Sequence, residues 1–235
     1  MSGQSSVLGR VAALVVGLFG GEERNSSVQP ERFGNYQLLE ELDSLASDVT
    51  MVYRVRRDGT DEETALVLLR ASDTAARHRF VKQQAMLERV RHPNIPGYRM
   101  VGHVHGSPFI ELSSMIGPSL QELLEHKSGL PPLTLRDWIS CLICVCHAAQ
   151  ALHEHSVVHR AIAPKNIVLH GFDPTSEHPL VDARPVLTNL MDAEIVHASQ
   201  VTRASDVPLG AAGYQSPQQV HGLAPDVHDD IFSIG

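Results

Sequence analysis

Three cysteines and a histidine lie close together in the sequence, at Cys141, Cys144, Cys146 and His147. Thiolate and imidazole groups at short spacings are the ligands that Zn²⁺ and related metals take in proteins. The same stretch predicts a helix over 134–155, on which Cys141 and Cys144 share a face while Cys146 points elsewhere. Because four ligands could not converge on one ion from such a helix, we interpret the thiols as buried apolar side chains.

The helix itself is predicted from its start signal and its periodicity. Thr134, with Asp137 three residues later, has the pattern of a capping box. Apolar residues then recur at spacings of three and four and predict one buried face, formed by Trp138, Leu142, Val145, Ala149 and Leu152. Free cysteines in such a helix are typical of a reducing compartment, so we expect a cytoplasmic protein.

Composition limits the class of protein. The 235 residues are 43% hydrophobic and 20% charged, which is enough to bury a sizeable core. The net charge is −8, from 19 Lys and Arg against 27 Asp and Glu, and lacks the basic footprint of proteins that bind phosphate backbones. We therefore expect no nucleic-acid partner, and the composition does not identify a protein partner.

The first 32 residues differ from the rest of the chain. Val7–Phe19 is apolar apart from glycines and Arg10, and it is shorter than the ~20 apolar residues that span a bilayer. It lacks the basic start and the small-residue cleavage site of a signal peptide. Residues 7–19 could contact a membrane surface or a partner, but we favour an extension joined to the main domain by a polar linker.

From residue 33 the chain predicts strands first and helices later. Five segments have strand patterning, and one helix is inserted after the third. The strands are expected at Tyr36–Leu42, Val49–Arg56, Ala65–Arg70, Tyr98–Val104 and Phe109–Leu112, and the helix at 73–90. A mainly helical second half follows, so the expected fold class is α+β with two lobes.

Four short motifs follow one another through this region. They are Arg91-His-Pro-Asn-Ile95, His159-Arg-Ala-Ile-Ala-Pro-Lys-Asn166, Gly213-Tyr-Gln-Ser-Pro217 and Asp230-Ile-Phe-Ser-Ile-Gly235. In order and spacing they resemble four motifs of the eukaryotic-like Ser/Thr protein kinases, including the bacterial members. These are the loop after the first helix, the catalytic loop, the end of the activation segment and the start of a long lower-lobe helix. The resemblance implies a kinase-like upper lobe with its hinge over 33–115 and a lower lobe over 116–235.

The end of the sequence resembles the first turn of that long helix. Ile231, Phe232 and Ile234 are apolar and would be covered by further helices in the family. The resemblance therefore implies a C-terminally truncated, incomplete lower lobe with an exposed apolar patch at its end.

Phosphoryl transfer depends on positioned charges, and the resemblance implies that several are missing here. The lysine of the family's third strand corresponds to Val67, and its glutamate partner on the helix corresponds to Gln83. The catalytic acid corresponds to Ala161, whose methyl group accepts no proton. The lysine two residues later corresponds to Ala163. The resemblance thus implies that no catalytic residue is intact.

The turn that covers the phosphates in the family is glycine-rich, whereas the stretch between the first two predicted strands has no glycine and carries Asp43 and Asp48. Side chains there would crowd the phosphates, and the two acids would repel them. Arg54 or Arg56 could supply a cation instead, while strand alternation turns Arg70 away from the cleft. We favour solvent-exposed positions for these strand arginines.

The resemblance also implies two possible ligand sites, one for Mg²⁺ and one for adenine. Asn166 and Asp192 match the oxygen donors that hold Mg²⁺, although Ala193 and Glu194 replace the Phe and Gly that follow the family's aspartate. Apolar residues match the walls and connector of the adenine pocket, namely Val52, Ala65, Leu112, Met115 and Val168. ATP and Mg are therefore candidate cofactors, and neither is required.

Three hypotheses follow. The leading one is a catalytically inactive pseudokinase that acts as a regulatory or binding module, with at most weak ATP binding. The second is a divergent active Ser/Thr kinase that transfers phosphate from ATP to protein and is itself phosphorylated at Thr202 or Ser205. The third is a decayed fragment without independent function.

Overall fold

A computed structural model describes most of the chain from residue 32 onward. The described ranges are 32–42, 45–47, 49–70, 74–104, 106–113, 115–125, 133–196 and 213–235. Predictions on residues 7–19, on Asp43 and Asp48, and on Thr202 and Ser205 lie outside the described residues. Across these ranges, none of the helices has the length and apolarity that crossing a membrane requires.

The upper lobe is a six-stranded antiparallel sheet with one helix. Its strands are β1 Arg32–Phe33, β2 Tyr36–Glu41, β3 Thr50–Arg57, β4 Glu63–Leu69, β5 Gly97–Val104 and β6 Ser107–Ser113. Their order in the sheet is β1-β2-β3-β4-β6-β5. Helix α1, Thr74–Arg89, joins β4 to β5. The prediction of five strands was wrong by one, because a two-residue strand such as β1 shows no periodicity.

Apolar clusters lie on both faces of the sheet, and the strand register determines which face each side chain joins. Met51, Tyr53 and Val55 pack into a small cluster on the outer face. Val52 and Val67, which lie opposite each other in the β3–β4 register, join the main core beneath α1. Because alternate residues of a strand face opposite sides, this register directs Val67 toward the lower lobe.

The lower lobe combines helices with two pairs of short strands. The helices are α2 Leu120–Glu125, α3 Leu135–Glu154, α4 Pro179–Asp182, α5 Pro217–Val220 and α6 Val227–Ile234. The strands are β7 Val157–Val158, β8 Ile167–His170, β9 Arg184–Leu187 and β10 Glu194–Ile195. Antiparallel pairs form between β8 and β9 and between β7 and β10. The predicted two-lobed α+β fold class is confirmed, and the short strand pairs are additions to it.

Helix α3 starts with the predicted capping box and buries most of the predicted face. The Thr134 hydroxyl accepts a hydrogen bond from the Asp137 N–H, and the Asp137 carboxylate accepts one from the Thr134 N–H. Six residues of the helix are buried, namely Asp137, Cys141, Val145, Ala148, Ala149 and Leu152. The prediction that Leu142 is buried was wrong, since this side chain is 44% exposed.

The cysteines of α3 do not share one environment. Cys141 is buried, and burial raises the pKa of its thiol to about 12. Cys144 is half-buried and Cys146 is exposed. The interpretation of the thiols as buried apolar side chains therefore holds for Cys141 alone, because a helix that packs on one side cannot bury residues spaced over all its faces.

The expected apolar patch is present on α6. Ile231 is 57% exposed and Phe232 is 51% exposed, whereas Ile234 is partly buried against the main core. The helix begins at a capping box in which Asp226 and Asp229 satisfy each other's first-turn backbone groups. This cap sets the helix so that Asp230 points into the lower lobe, where it is fully buried.

Candidate functional site

A small cavity lies between the two lobes, and described residues from both lobes line it. They are Leu45, Thr50, Val52, Val67, Gln83, Leu87, Pro96, Leu112, Met115 and residues 188–191. Its volume is about 20 Å³. A cavity needs roughly 10–15 Å³ to hold one water molecule, so this one is almost filled by the protein itself.

Three of the five residues predicted for the adenine pocket line this cavity, namely Val52, Leu112 and Met115. The other two, Ala65 and Val168, are fully buried and are not among the residues that line it. Val168 instead pairs with Val186 between β8 and β9. Leu45, from the stretch that lacks glycines, lines the cavity and packs against the main core.

Val67 and Gln83 are brought together at the cavity, each about 4% exposed. A valine and a neutral amide cannot form an ion pair, so the cavity has no charge at this point. The Gln83 Oε1 atom is buried and has no hydrogen-bond partner among the described residues. Because a buried unpaired carbonyl oxygen is costly, the free oxygen marks a place that one water molecule could satisfy.

The strand arginines lie away from the cavity. Glu63 accepts hydrogen bonds from Arg54 Nε at 2.6 Å and from Arg56 Nη2 at 2.7 Å, and the two guanidinium groups lower the pKa of its carboxyl. Arg70 is 44% exposed, with Nη2 4.0 Å from a Glu41 oxygen. None of these three arginines lines the cavity, so none of them replaces the missing cleft lysine.

The segment that resembles a catalytic loop is held by one buried carboxylate. Asp230 accepts hydrogen bonds from the backbone N–H groups of His159 and Arg160, each at 2.8 Å. It accepts a third from His153 Nε2, also at 2.8 Å. Arg160 is fixed in this way in a left-handed conformation with φ of 66°, which few residues other than glycine adopt.

His159 is the second fixed point of this segment, and its tautomer follows from its contacts. Nδ1 accepts a hydrogen bond from the Ala161 N–H at 3.2 Å, so the ring proton lies on Nε2, which donates to the Thr188 carbonyl at 2.8 Å. Burial lowers the pKa of His159, in agreement with a neutral ring. The imidazole thus ties the loop to the segment after β9.

Ala161, at the position that the resemblance assigns to the catalytic acid, is 3% exposed. Its carbonyl accepts a hydrogen bond from Asn166 Nδ2 at 2.6 Å. Ala163, two residues on, is equally buried. No charged side chain is among the described residues that line the cavity, so none of these could take a proton from a hydroxyl group there.

The predicted metal ligands Asn166 and Asp192 make contacts with different residues. Asn166 Oδ1 instead accepts a hydrogen bond from Asn189 Nδ2 at 3.3 Å, and Asn189 lines the cavity. Asp192 ends the 3-10 turn Leu190–Asp192, is not among the described residues that line the cavity, and lies with Oδ1 3.8 Å from Arg79 Nη1. The pairing of Asn166 with Asp192 stays a prediction, and four residues separate Asp192 from the end of β9.

Sequence reasoning missed Asn189. It follows the end of β9 by two residues and has a left-handed φ of 63°. The register of β9 against β8 could have indicated it, whereas the sequence pattern pointed to the nearest acid, Asp192. Asn166 and Asn189 present neutral amides, whereas Mg²⁺ sites in proteins use at least one carboxylate, so this pair does not fit the ion.

Charged groups are instead found where α1 meets β10 and the turn Leu190–Asp192, a contact region that we call the outer side of α1. Lys82 Nζ lies 2.7 Å from Glu194 Oε2, and Arg160 Nη1 lies 3.7 Å from Glu194 Oε1. Arg160 is 5% exposed, so Glu194 is the counter-charge of a buried cation. Burial raises the pKa of Asp192. Its carboxylate faces Arg79, which precedes Lys82 by about one turn of α1. These pairs join α1 to the lower lobe.

Comparison with known proteins agrees with the motifs. The family model for protein tyrosine and serine/threonine kinases matches residues 45–178, more than half of the chain. A DNA damage-responsive serine/threonine-protein kinase of Deinococcus radiodurans is 27% identical over 208 residues, which cover 86% of this chain and 29% of that protein. A serine/threonine-protein kinase of Streptomyces coelicolor is 28% identical over 184 residues, covering 75% of this chain and 42% of that protein.

A serine/threonine-protein kinase of Mycobacterium leprae is 25% identical over 198 residues, covering 81% of this chain and 28% of that protein. The chain thus spans less than half the length of each of these three relatives. The family match, the order of the motifs and the two-lobed fold agree with one another. The chain belongs to the protein tyrosine and serine/threonine kinase family.

Proposed function

We propose that this chain is a catalytically inactive kinase-fold module, a pseudokinase, that serves as a regulatory or binding partner of another protein. One observation carries the proposal. All described residues that line the interlobe cavity are uncharged. Active kinases neutralise the phosphates of ATP there with a lysine and Mg²⁺ and accept the hydroxyl proton with an aspartate.

The size of the cavity supports the same conclusion for the nucleotide. About 20 Å³ compares with the ~300 Å³ at the lower end of ligand pockets. A nucleotide would have to displace Leu45 and the side chains around it. It would also place a triphosphate beside Val67, where no described cation lines the cavity to offset the loss of water. We therefore expect ATP binding to be weak or absent.

The parts of the fold that give it a fixed shape are retained. Asp230 holds the backbone of the loop that contains Ala161, and His159 ties that loop to Thr188. Since these bonds position a loop without a catalytic acid, they support a role that depends on shape rather than on chemistry. A rigid surface reduces the entropy lost when a partner binds.

The direct test is a phosphoryl-transfer assay with γ-labelled ATP, in Mg²⁺ and in Mn²⁺, on the purified full chain. We expect no label on the chain or on a general protein substrate, with an active bacterial Ser/Thr kinase as the positive control. Incorporation that is lost in Asn166→Ala or Asp192→Ala would overturn the proposal in favour of a divergent active kinase.

A thermal-shift titration separates nucleotide binding from catalysis. Binding at 100 times the dissociation constant would stabilise the fold by about 2.7 kcal/mol, so no shift at millimolar ATP and Mg²⁺ indicates negligible affinity. We expect no shift. A cooperative urea transition of the same sample is also expected, and its absence would favour the third hypothesis, a decayed fragment.

A further inference from the structure

The sheet of the upper lobe is curled, so that strands distant in its order meet. β2 is second in that order and β5 is last, yet the Tyr36 hydroxyl oxygen lies 3.5 Å from the Met100 sulfur. Arg57, the last residue of β3, places Nη2 3.4 Å from the same sulfur. Met100 also packs against the apolar cluster on the outer face. The Met100 sulfur therefore connects β5 to β2 and β3, and we call these three residues the Met100 contact.

Met100 differs from the other methionines of the described ranges in its exposure. It is half-buried, whereas the other four are 4% exposed or less, namely Met51, Met86, Met115 and Met191. Oxidation of a methionine requires that the oxidant reach its sulfur. Of these five side chains, Met100 alone therefore offers an appreciable surface to a dissolved oxidant.

Arg57 is the hydrogen-bond donor to this sulfur. The Tyr36 hydroxyl has one proton, which it donates to the Glu111 carboxylate at 2.7 Å, so it contacts the sulfur without donating to it. Burial and the Glu111 carboxylate raise the pKa of Tyr36, so the hydroxyl keeps this proton at neutral pH. A thioether sulfur is a weak acceptor, and the guanidinium group at 3.4 Å is therefore bound weakly. A stronger acceptor at this position would receive a stronger, charge-assisted hydrogen bond.

We propose that Met100 is a site of oxidative modification, at which hydrogen peroxide forms a sulfoxide whose oxygen is bound by Arg57. A lone pair of the sulfur forms the S–O bond with one peroxide oxygen while the O–O bond breaks. The sulfur thereby loses two electrons, which the peroxide gains. The proton of the transferred oxygen moves to the departing oxygen, which leaves as water. The inference goes beyond the proposed function and does not depend on it, because no residue of the Met100 contact lines the interlobe cavity.

The position of Met100 determines what the sulfoxide does to the fold. A sulfoxide is polar, and methionine oxidation commonly disrupts apolar cores. Met86 is 1% exposed, so an oxygen on its sulfur would be buried in the core at a high cost. At Met100, by contrast, the exposed Arg57 side chain is already within reach of the sulfur. The oxidised chain is therefore expected to keep its fold, with a stronger link between β3 and β5.

The first test follows the rate of oxidation at each methionine. The full chain is treated with dilute hydrogen peroxide, and samples are digested and measured by mass spectrometry over time. We expect Met100 to be oxidised at least about tenfold faster than each of the four buried methionines. The same chain unfolded in urea is the control, and its methionines should react at similar rates. Equal rates at Met100 and at the buried methionines of the folded chain would overturn the proposal.

The second test determines whether Arg57 binds the sulfoxide. Thermal unfolding is measured before and after oxidation in the unmodified chain, in Arg57→Ala and in Arg77→Ala, which removes an exposed arginine of α1 as the matched control. Oxidation should leave the midpoints of the unmodified chain and of Arg77→Ala within about 1 °C, and should lower that of Arg57→Ala by about 3 °C or more. In the Arg57→Ala/Met100→Leu double variant this loss should disappear.

Two results of the second test would contradict the proposal. A loss in Arg57→Ala no larger than that in Arg77→Ala would show that Arg57 does not bind the sulfoxide. A loss that persists in the double variant would assign the effect to another oxidised residue, such as the exposed Cys146. Circular dichroism of each variant before oxidation checks that the fold is intact.

Discussion

Two contact regions of helix α1 differ in charge. The side toward the cleft presents Gln83 and Leu87 to a cavity whose described lining is uncharged. The outer side presents Arg79 and Lys82, which pair with Asp192 and Glu194 of the lower lobe. In active kinases an ion pair on the cleft side both positions this helix and binds phosphate. Helix α1 can therefore be positioned without the charged groups that bind ATP in active kinases.

The outer contacts are partly buried, which makes them more than surface ion pairs. The side chains of Lys82 and Asp192 are 20% and 18% exposed. Glu194 also faces Arg160, whose guanidinium group is almost completely removed from water. Breaking such a contact leaves a buried charge without a counter-charge, and that cost exceeds the value of an exposed pair.

The largest effect is expected from placing a charge on the cleft side. Val67→Lys should lower the free energy of unfolding by about 3–5 kcal/mol, because it buries a cation with no described carboxylate lining the cavity. Adding Gln83→Glu should recover about 1–3 kcal/mol of this loss through the new pair. Urea unfolding measures both. If Val67→Met, a long uncharged control, is as damaging as Val67→Lys, charge is not the cause and the comparison fails.

Removing charge on the outer side should have the next largest effect. Glu194→Gln is expected to cost about 1–2 kcal/mol, since Arg160 then lacks its counter-charge. Arg77→Ala on the exposed surface of the same helix should cost under about 0.5 kcal/mol. Hydrogen exchange should quicken in α1 and stay unchanged in α3. Equal costs for Glu194→Gln and Arg77→Ala would show that the outer pairs do not anchor the helix.

Acid should act through buried and half-buried histidines rather than through the outer pairs of α1. Burial lowers the pKa of His159, and also of His92 and His170. Below about pH 6.5 the unfolded chain therefore binds more protons than the folded chain does. Each additional proton lowers the free energy of unfolding by about 1.4 kcal/mol per pH unit. The stabilisation is present above pH 6.5 and is lost as the pH falls toward the lower folded-state pKa.

We expect a loss of about 1 kcal/mol or more between pH 7 and pH 5.5, measured by urea unfolding at each pH. The raised pKa of Asp192 acts in the opposite direction, because the folded state holds that proton to higher pH than the unfolded chain does. Stability that stays flat or rises as the pH falls through this window would contradict neutral buried histidines.

The smallest effect on stability is expected from changing the side-chain amide of Asn189, which bonds to Asn166. Asn189→Asp would place a carboxylate beside Asn166 and create a weak site for a divalent ion. With a dissociation constant near the 10 mM Mg²⁺ added, the stabilisation would be about 0.4 kcal/mol. The unmodified chain and Asn189→Ala should show no Mg²⁺ effect in a thermal-shift assay. A clear Mg²⁺ shift in the unmodified chain would show that neutral amides suffice and that the cleft retains metal binding.

The sequence predicted the parts of the fold that long periodic patterns determine. The strand predicted over Tyr98–Val104 differs from the observed β5 by one residue, and the capping box at Thr134 starts α3 as expected. The buried face of α3 was harder to predict, because Leu142 and Cys141 are adjacent apolar residues and only packing decides between them.

The site was predictable only where the chain runs in regular structure. The place of Val67 follows from the alternation of β4, and it lines the cavity with Gln83. Asn189 lies after a four-residue strand whose register depends on pairing with β8, which no local pattern reveals. The acid three residues later, Asp192, was more conspicuous in sequence and ends a 3-10 turn.

The carboxylate of Asp230 also sets an order of folding events. Its three partners, His153, His159 and Arg160, precede it in the chain by 70 to 77 residues. Closing so long a loop is entropically costly and slow, so the left-handed backbone at Arg160 has to wait for α6. On a ribosome the loop would stay without its native hydrogen bonds until nearly the whole of this sequence had been synthesised.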